Sequence, residues 1–190
     1  MSYVIRALTP ALVEKFLEYF DHDAFADNPR WQFCYCNFVH YDHRGPAFSD
    51  TEPAANRAAV AERICARKMH GFLAFEDERV VGWCQAAPRT TILTLATEPD
   101  PDGTARQVGS VVCFVIAKAH RGKGLASQLL GAACETFKAQ GLAFAEAYPK
   151  RDAETEAANH TGPLGMYLKF GFSPYRTDPD GTVVVRLPLK

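Results

Sequence analysis

Val111-Val112-Cys113-Phe114-Val115-Ile116-Ala117-Lys118-Ala119-His120-Arg121-Gly122-Lys123-Gly124-Leu125-Ala126 is an apolar, β-branched run that halts at Arg121-Gly122-Lys123-Gly124 and gives way to a helical pattern. Strand, glycine-rich turn and helix in that order aim backbone N–H groups at one point. The first turn of a helix leaves four amide donors without partners, and the macrodipole adds partial positive charge there. Glycines let the main chain approach a diphosphate without Cβ clashes.

Outward from this stretch, Gln107 to Ala117 reads as a central strand and Gly122 to Gln140 as its helix. Leu125, Leu129, Leu130, Ala133 and Phe137 recur on one helical face, and Gly141 stands at the usual stop position. Leu142 to Tyr148 is a buried strand ended by Pro149; a short helix runs from about Gly162 to Phe170 and stops at Gly171. Phe172 to Arg176 and Thr182 to Leu187 are strands around the turn Asp178-Pro179-Asp180-Gly181.

Upstream, Tyr3 to Leu8 reads as a strand. Thr9-Pro10 opens a helix whose stripe is Leu12, Val13, Phe16, Leu17 and Phe20. From Asp21 to Asp50 the periodicity is lost while aromatics and acids accumulate. Thr51-Glu52-Pro53 restarts a helix to about His70, and Gly71 to Glu76 with Val80 to Ala87 form a hairpin. Glu98 to Gly103 is a polar loop. The order β, α, α, β, β, β, α, β, α, β, β predicts one mixed α/β domain over residues 1–190.

Bulk properties narrow the classes. The 190 residues suffice for one hydrophobic core, and a formal charge of −1 gives no electrostatic case for nucleic-acid binding. No apolar run approaches the ~20 residues that span a bilayer. The start, Met1-Ser2-Tyr3-Val4-Ile5-Arg6, lacks the basic end and apolar centre of a signal peptide, so a cytoplasmic protein is expected. Cys65, Cys84, Cys113 and Cys134 are then expected as reduced core thiols.

Three readings compete for residues 121–126. A helix start without a ligand is the plainest. A dinucleotide fingerprint fails because Ser127 stands where the third glycine belongs and too little chain follows. A P-loop is excluded by the lack of Gly-Lys-Ser/Thr. The third reading is a family: Arg121-Gly122-Lys123-Gly124-Leu125-Ala126 resembles the Arg/Gln-x-x-Gly-x-Gly/Ala signature of the GNAT superfamily of acyl-CoA N-acyltransferases. Tyr167-Leu168-Lys169-Phe170-Gly171-Phe172 resembles that family's C-terminal helix, with a Tyr before a Gly-Phe pair. The resemblance covers nearly the whole chain in element order and is specific in its second half.

The resemblance implies a mostly antiparallel central sheet flanked by helices, with a coenzyme-binding core at about 107–172 and an acceptor-pocket segment at about 21–50. It implies transfer of an acetyl (acyl) group from acetyl-CoA to a primary amine of a small molecule or peptide; a non-catalytic acyl-CoA-binding module is the alternative. No metal is expected, and a monomer or homodimer fits. By the resemblance, amides of Arg121, Gly122, Lys123, Gly124, Leu125 and Ala126 would hold the pyrophosphate, with the Arg121 and Lys123 charges at its rim. Main-chain groups of Phe114, Val115 and Ile116 would pair with the pantetheine arm. Tyr167 would be the general acid at the sulfur, and Asn159 would touch the coenzyme, with His160 a weaker candidate. Lys118 departs from the Pro often found there.

Two readings of Glu146 stand at this point. A carboxylate in the apolar run Ala143-Phe144-Ala145-Glu146-Ala147-Tyr148 would have a raised pKa suited to a general base. It equally suits solvent or a structural salt bridge. In the 21–50 segment, Phe25, Trp31, Phe33, Tyr35, Phe38, Tyr41 and Phe48 with Asp21, Asp23, Asp27 and Asp42 suit a cationic amine, or else a satellite cluster under a long loop. Cys34-x-Cys36-x3-His40-x2-His43 has zinc-type ligands, but the one-residue cysteine spacing argues against a structural site.

Overall fold

The β-branched and aromatic runs become seven strands of one sheet, in the order β1-β2-β3-β4-β5-β7-β6. The computed structural model describes residues 3–99, 102–151 and 159–190. The strands are β1 (Val4–Ala7), β2 (Gly71–Glu76), β3 (Arg79–Pro88), β4 (Val108–Ile116), β5 (Phe144–Ala147), β6 (Ser173–Thr177) and β7 (Val183–Pro188). All neighbours pair antiparallel except β4 and β5. A parallel pair needs a crossover. Here α4 (Leu125–Ala139) supplies it.

Helices cover both faces. Leu125, Leu129, Leu130, Ala133 and Phe137 of α4, with Tyr167 of α5 (Leu164–Phe170), pack on Val81, Cys84, Ala86 and Val111. On the other face α1 (Val13–His22) and α2 (Pro53–Cys65) bring Phe16, Leu17, Phe20, Val60 and Ile64 onto Leu73, Trp83 and Val115. β3 and β4 are therefore buried on both sides, which is why their sequences run apolar without alternation. Gly109 in β4 has a packing reason: a Cβ there would lie 2.3 Å from the Phe137 ring.

Several boundaries differ from the sequence expectation, each for a backbone reason. α4 begins at Leu125 rather than Gly122, because Gly122 and Gly124 sit at φ +71 and +76. α2 stops at Cys65 rather than His70, with Arg67 in the left-handed region at φ 55. α5 begins at Leu164, after Gly162 at φ +87 and Pro163. A one-turn helix, α3 (Leu93–Ala96), was not foreseen. Between α1 and α2 lie only short 3-10 turns at Pro29–Cys34, Phe38–His40 and Phe48–Asp50. Among the described residues no helix is long and apolar enough to cross a membrane.

Candidate active site

β4 ends at Ile116, passes through a 3-10 turn at Lys118–His120, and reaches α4 through the two left-handed glycines. A Cβ on Gly122 or Gly124 would meet nothing within 4 Å, so these glycines serve the backbone conformation and the space above them is open. Gly124 is the N-cap of α4 and offers no side-chain cap. The Gln128 amide bonds back to the Gly124 carbonyl at 3.2 Å. The amides of Leu125, Ala126 and Ser127 precede it and have no acceptor inside the helix. This is an uncapped helix N-terminus behind an open glycine turn, a ready anion site. Arg121 is engaged within the chain. Its amide donates to the Lys118 carbonyl, and its guanidinium donates to Asp27 at 2.6 and 3.0 Å and to the Ile116 carbonyl at 2.9 Å. Lys123 is exposed on the turn.

β4 and β5 stay paired only from Val108↔Phe144 to Val111↔Ala147, and Pro149 prevents β5 from continuing. Across β3 the register slips at the same level. Gln85 faces Cys113 but Ala86 faces Val111, which leaves Val112 as the bulged residue. The two strands therefore part beside Val112. The free main-chain groups expected beyond this point are bonded within the chain. The Phe114 amide donates to the His160 carbonyl at 2.6 Å, Tyr19 donates to the Val115 carbonyl at 3.0 Å, and Arg121 takes that of Ile116. Buried backbone groups find partners wherever side chains and turns can reach them.

Tyr167 is fully buried, and its hydroxyl donates to the Thr161 carbonyl at 2.5 Å. Burial pushes that hydroxyl well above its ordinary range, so it holds its proton at neutral pH. Because His160 and Thr161 are consecutive, the Phe114 amide and the Tyr167 hydroxyl lie one dipeptide apart. Asn159 starts the same turn, its carbonyl accepting from the Gly162 amide at 2.8 Å.

Glu146 is completely buried and points to the face opposite Ala145 and Ala147. Its carboxylate accepts from Arg186 Nε at 2.5 Å and from the Tyr148 hydroxyl at 2.6 Å, with Arg89 Nε at 3.8 Å. Tyr148 in turn shares a hydrogen bond of 2.8 Å with Ser110. Glu146 therefore takes part in a buried salt bridge with Arg186.

The sequence model of the acetyltransferase (GNAT) family matches residues 37–172. The chain belongs to the GNAT family. No curated protein matches the sequence. Among solved structures, the chain is similar to an N-acetyltransferase from Staphylococcus aureus Mu50, at 20% identity and a TM-score of 0.59 over 100% of both chains. It is similar to the PaiA N-acetyltransferase of Thermoplasma acidophilum in complex with coenzyme A, at 15% identity and 0.59 over 99% of each chain. YncA of Salmonella typhimurium, solved with its cofactor acetyl-CoA, gives 16% identity and 0.57 over 100% of this chain and 95% of that one. At these identities the likeness shows the shared GNAT fold.

In this GNAT chain the acids and aromatics of the segment before α2 find partners within the protein. Each of its four aspartates carries an arginine: Asp21 with Arg57, Asp23 with Arg79, Asp27 with Arg121 and Asp42 with Arg44. Phe25 and Tyr35 pack on Phe20. Trp31 stacks on Phe33, and Phe33, Phe38 and Tyr41 meet Phe48 in tilted or edge-on contacts. The rings thus form a cluster under the long segment, and its four carboxylates each carry a guanidinium partner. The zinc-type residues are also engaged otherwise. His40 meets Gln85 at 2.8 Å, His43 meets the Phe38 carbonyl, and Cys36 Sγ lies 3.3 Å from Cys113 Sγ. Among the described residues no group of three or more His, Cys, Asp or Glu is arranged to hold a metal ion.

Sequence reasoning missed Arg186, Tyr148 and Gln85. A signal existed for two of them. Arg186 interrupts the apolar strand Val183-Val184-Val185-Arg186-Leu187, and Gln85 interrupts Val80 to Ala87. A charged or amide side chain in a run buried on both faces must have a buried partner.

Proposed function

We propose that this chain transfers an acetyl group from acetyl-CoA to a primary amine of a small molecule or peptide, by direct attack of the amine on the thioester. One juxtaposition supports the reading: an open, uncapped glycine turn follows β4, and the turn whose Thr161 carbonyl takes the Tyr167 hydroxyl also takes the Phe114 amide of β4. Family membership and the coenzyme complexes of two relatives support it.

In this mechanism the amides of residues 122–126 hold the pyrophosphate and fix the direction of the arm. The arm lies along β4, beyond the register shift at Val112. A neutral amine adds to the thioester carbonyl carbon, the C–S bond breaks, and the thiolate takes the proton of Tyr167, whose oxygen regains one from solvent. Glu146 holds Arg186 and Tyr148 at the mouth of the gap rather than taking the amine's proton, which passes to water.

The test is thiol release from acetyl-CoA across a panel of amines. Acceptor-dependent release is expected, and Tyr167→Phe is expected to lower kcat by at least about tenfold with little change in the KM for acetyl-CoA. Coenzyme binding without acceptor-dependent release would replace the enzyme with the binding-module reading.

A further inference from the structure

The turn Asn159–Gly162 lies across the working parts of the proposed site. The His160 carbonyl takes the Phe114 amide at 2.6 Å, on the side of β4 that β5 has vacated. The next carbonyl, Thr161, takes the Tyr167 hydroxyl at 2.5 Å. These are the two groups that the arm and the leaving sulfur need. A thioester arm on β4 and this turn on β4 are therefore mutually exclusive at Phe114.

The Thr161 hydroxyl is buried and has no partner among the described residues. A buried hydroxyl without a partner is a net penalty on the arrangement that buries it. Gly162 sits at φ +87 with no room beside it, since a Cβ would come within 2.9 Å of Met166 Cε and 3.0 Å of the Tyr167 hydroxyl. The turn is thus held by two strong carbonyl contacts and opposed by a built-in defect.

We infer that Asn159–Gly162 is a strap that acyl-CoA displaces on binding, so that the Tyr167 hydroxyl is released to the sulfur only when the arm has taken the Phe114 amide. This rests on the acetyl-transfer reading and adds its regulation. The coenzyme's arm replaces the His160 carbonyl with one of its own, so Phe114 keeps a partner while Tyr167 loses Thr161. Apparent coenzyme affinity is then the intrinsic affinity scaled by the fraction of molecules with the strap open.

The experiment is amide hydrogen exchange with and without coenzyme A, joined to stopped-flow binding of acetyl-CoA. Coenzyme A is expected to speed exchange in residues 159–162 while Phe114 stays protected, and the observed binding rate is expected to level off with acetyl-CoA concentration. Thr161→Val removes the orphan hydroxyl at constant shape, stabilises the closed strap, and is expected to weaken acetyl-CoA binding about tenfold. Thr161→Ser keeps the hydroxyl and binds as the parent does. Gly162→Ala crowds the closed strap and shifts the plateau rate upward. Coenzyme binding with unchanged exchange at 159–162, a linear rate and parental affinity in Thr161→Val overturns the strap alone. Failure of coenzyme A to bind at all overturns both the strap and the acetyl-transfer reading.

Discussion

Arg121 and Asp27, 94 residues apart, are joined by two short hydrogen bonds, so the last cation before the glycine turn is neutralised by the segment leading into α2. The guanidinium holds the Asp27 carboxyl below the usual carboxylate range. This pair fastens the aromatic segment to the proposed phosphate site and subtracts one positive charge from it. Asp27→Asn is therefore expected to tighten coenzyme A binding, by about threefold at low salt, because the negative charge beside the turn is gone. Titration calorimetry at low and at high salt checks this. Weaker binding in the variant, or a gain that persists at high salt, contradicts the electrostatic account.

Gly124 separates two roles for glycine. At φ +76 an alanine costs about 1–2 kcal/mol of stability, yet its Cβ would touch no protein atom. Gly124→Ala is expected to fold, to lose only that stability, and to bind coenzyme A at least about tenfold more weakly as the methyl stands over the helix amides. Urea unfolding and calorimetry on one preparation separate the two effects. Parental affinity in a folded Gly124→Ala protein removes the turn from the binding site.

The elements that a reader of the sequence can find are those built from neighbours in the chain. Gly122 and Gly124 announce a left-handed turn, and Gly171 a helix end, because the backbone requires glycine there. The sheet order was not legible, because β7 inserts between β5 and β6 and nothing local to those strands sets that pairing. α3 was invisible because Leu93–Ala96 spans a single turn and shows no period. The fate of Glu146 was open because its partner Arg186 lies 40 residues away, and the same run of residues suits a base or an ion pair. The aspartates of the 21–50 segment look like a cation site until Arg57, Arg79 and Arg121 arrive from other elements. Local conformation is written locally, and charge compensation is not.

The Glu146–Arg186 pair yields a test that distinguishes structure from chemistry. Arg186→Met leaves a fully buried carboxylate with Tyr148 and a guanidinium 3.8 Å away, and is expected to cost about 3 kcal/mol. Glu146→Gln is expected to lower stability too, while the acidic limb of the kcat/KM profile keeps its midpoint. Loss of that limb in Glu146→Gln would restore Glu146 as the proton acceptor.

His40 gives the chain an acid-sensitive point outside the proposed chemistry. It is buried against Gln85, and desolvation, with smaller contributions from Arg63 and His70, pushes its imidazole down to about 4 from the ordinary 6.5. The unfolded chain therefore takes up this proton first as the pH falls. His40's contribution to stability is complete above pH 6.5 and is lost progressively toward pH 4. Acidification from neutrality to about pH 5 should remove roughly 2 kcal/mol through this residue. Urea midpoints measured across that range should fall in the parent and fall less in His40→Gln, whose amide cannot titrate. A parental pH slope in folded His40→Gln would show that this imidazole does not set the acid sensitivity.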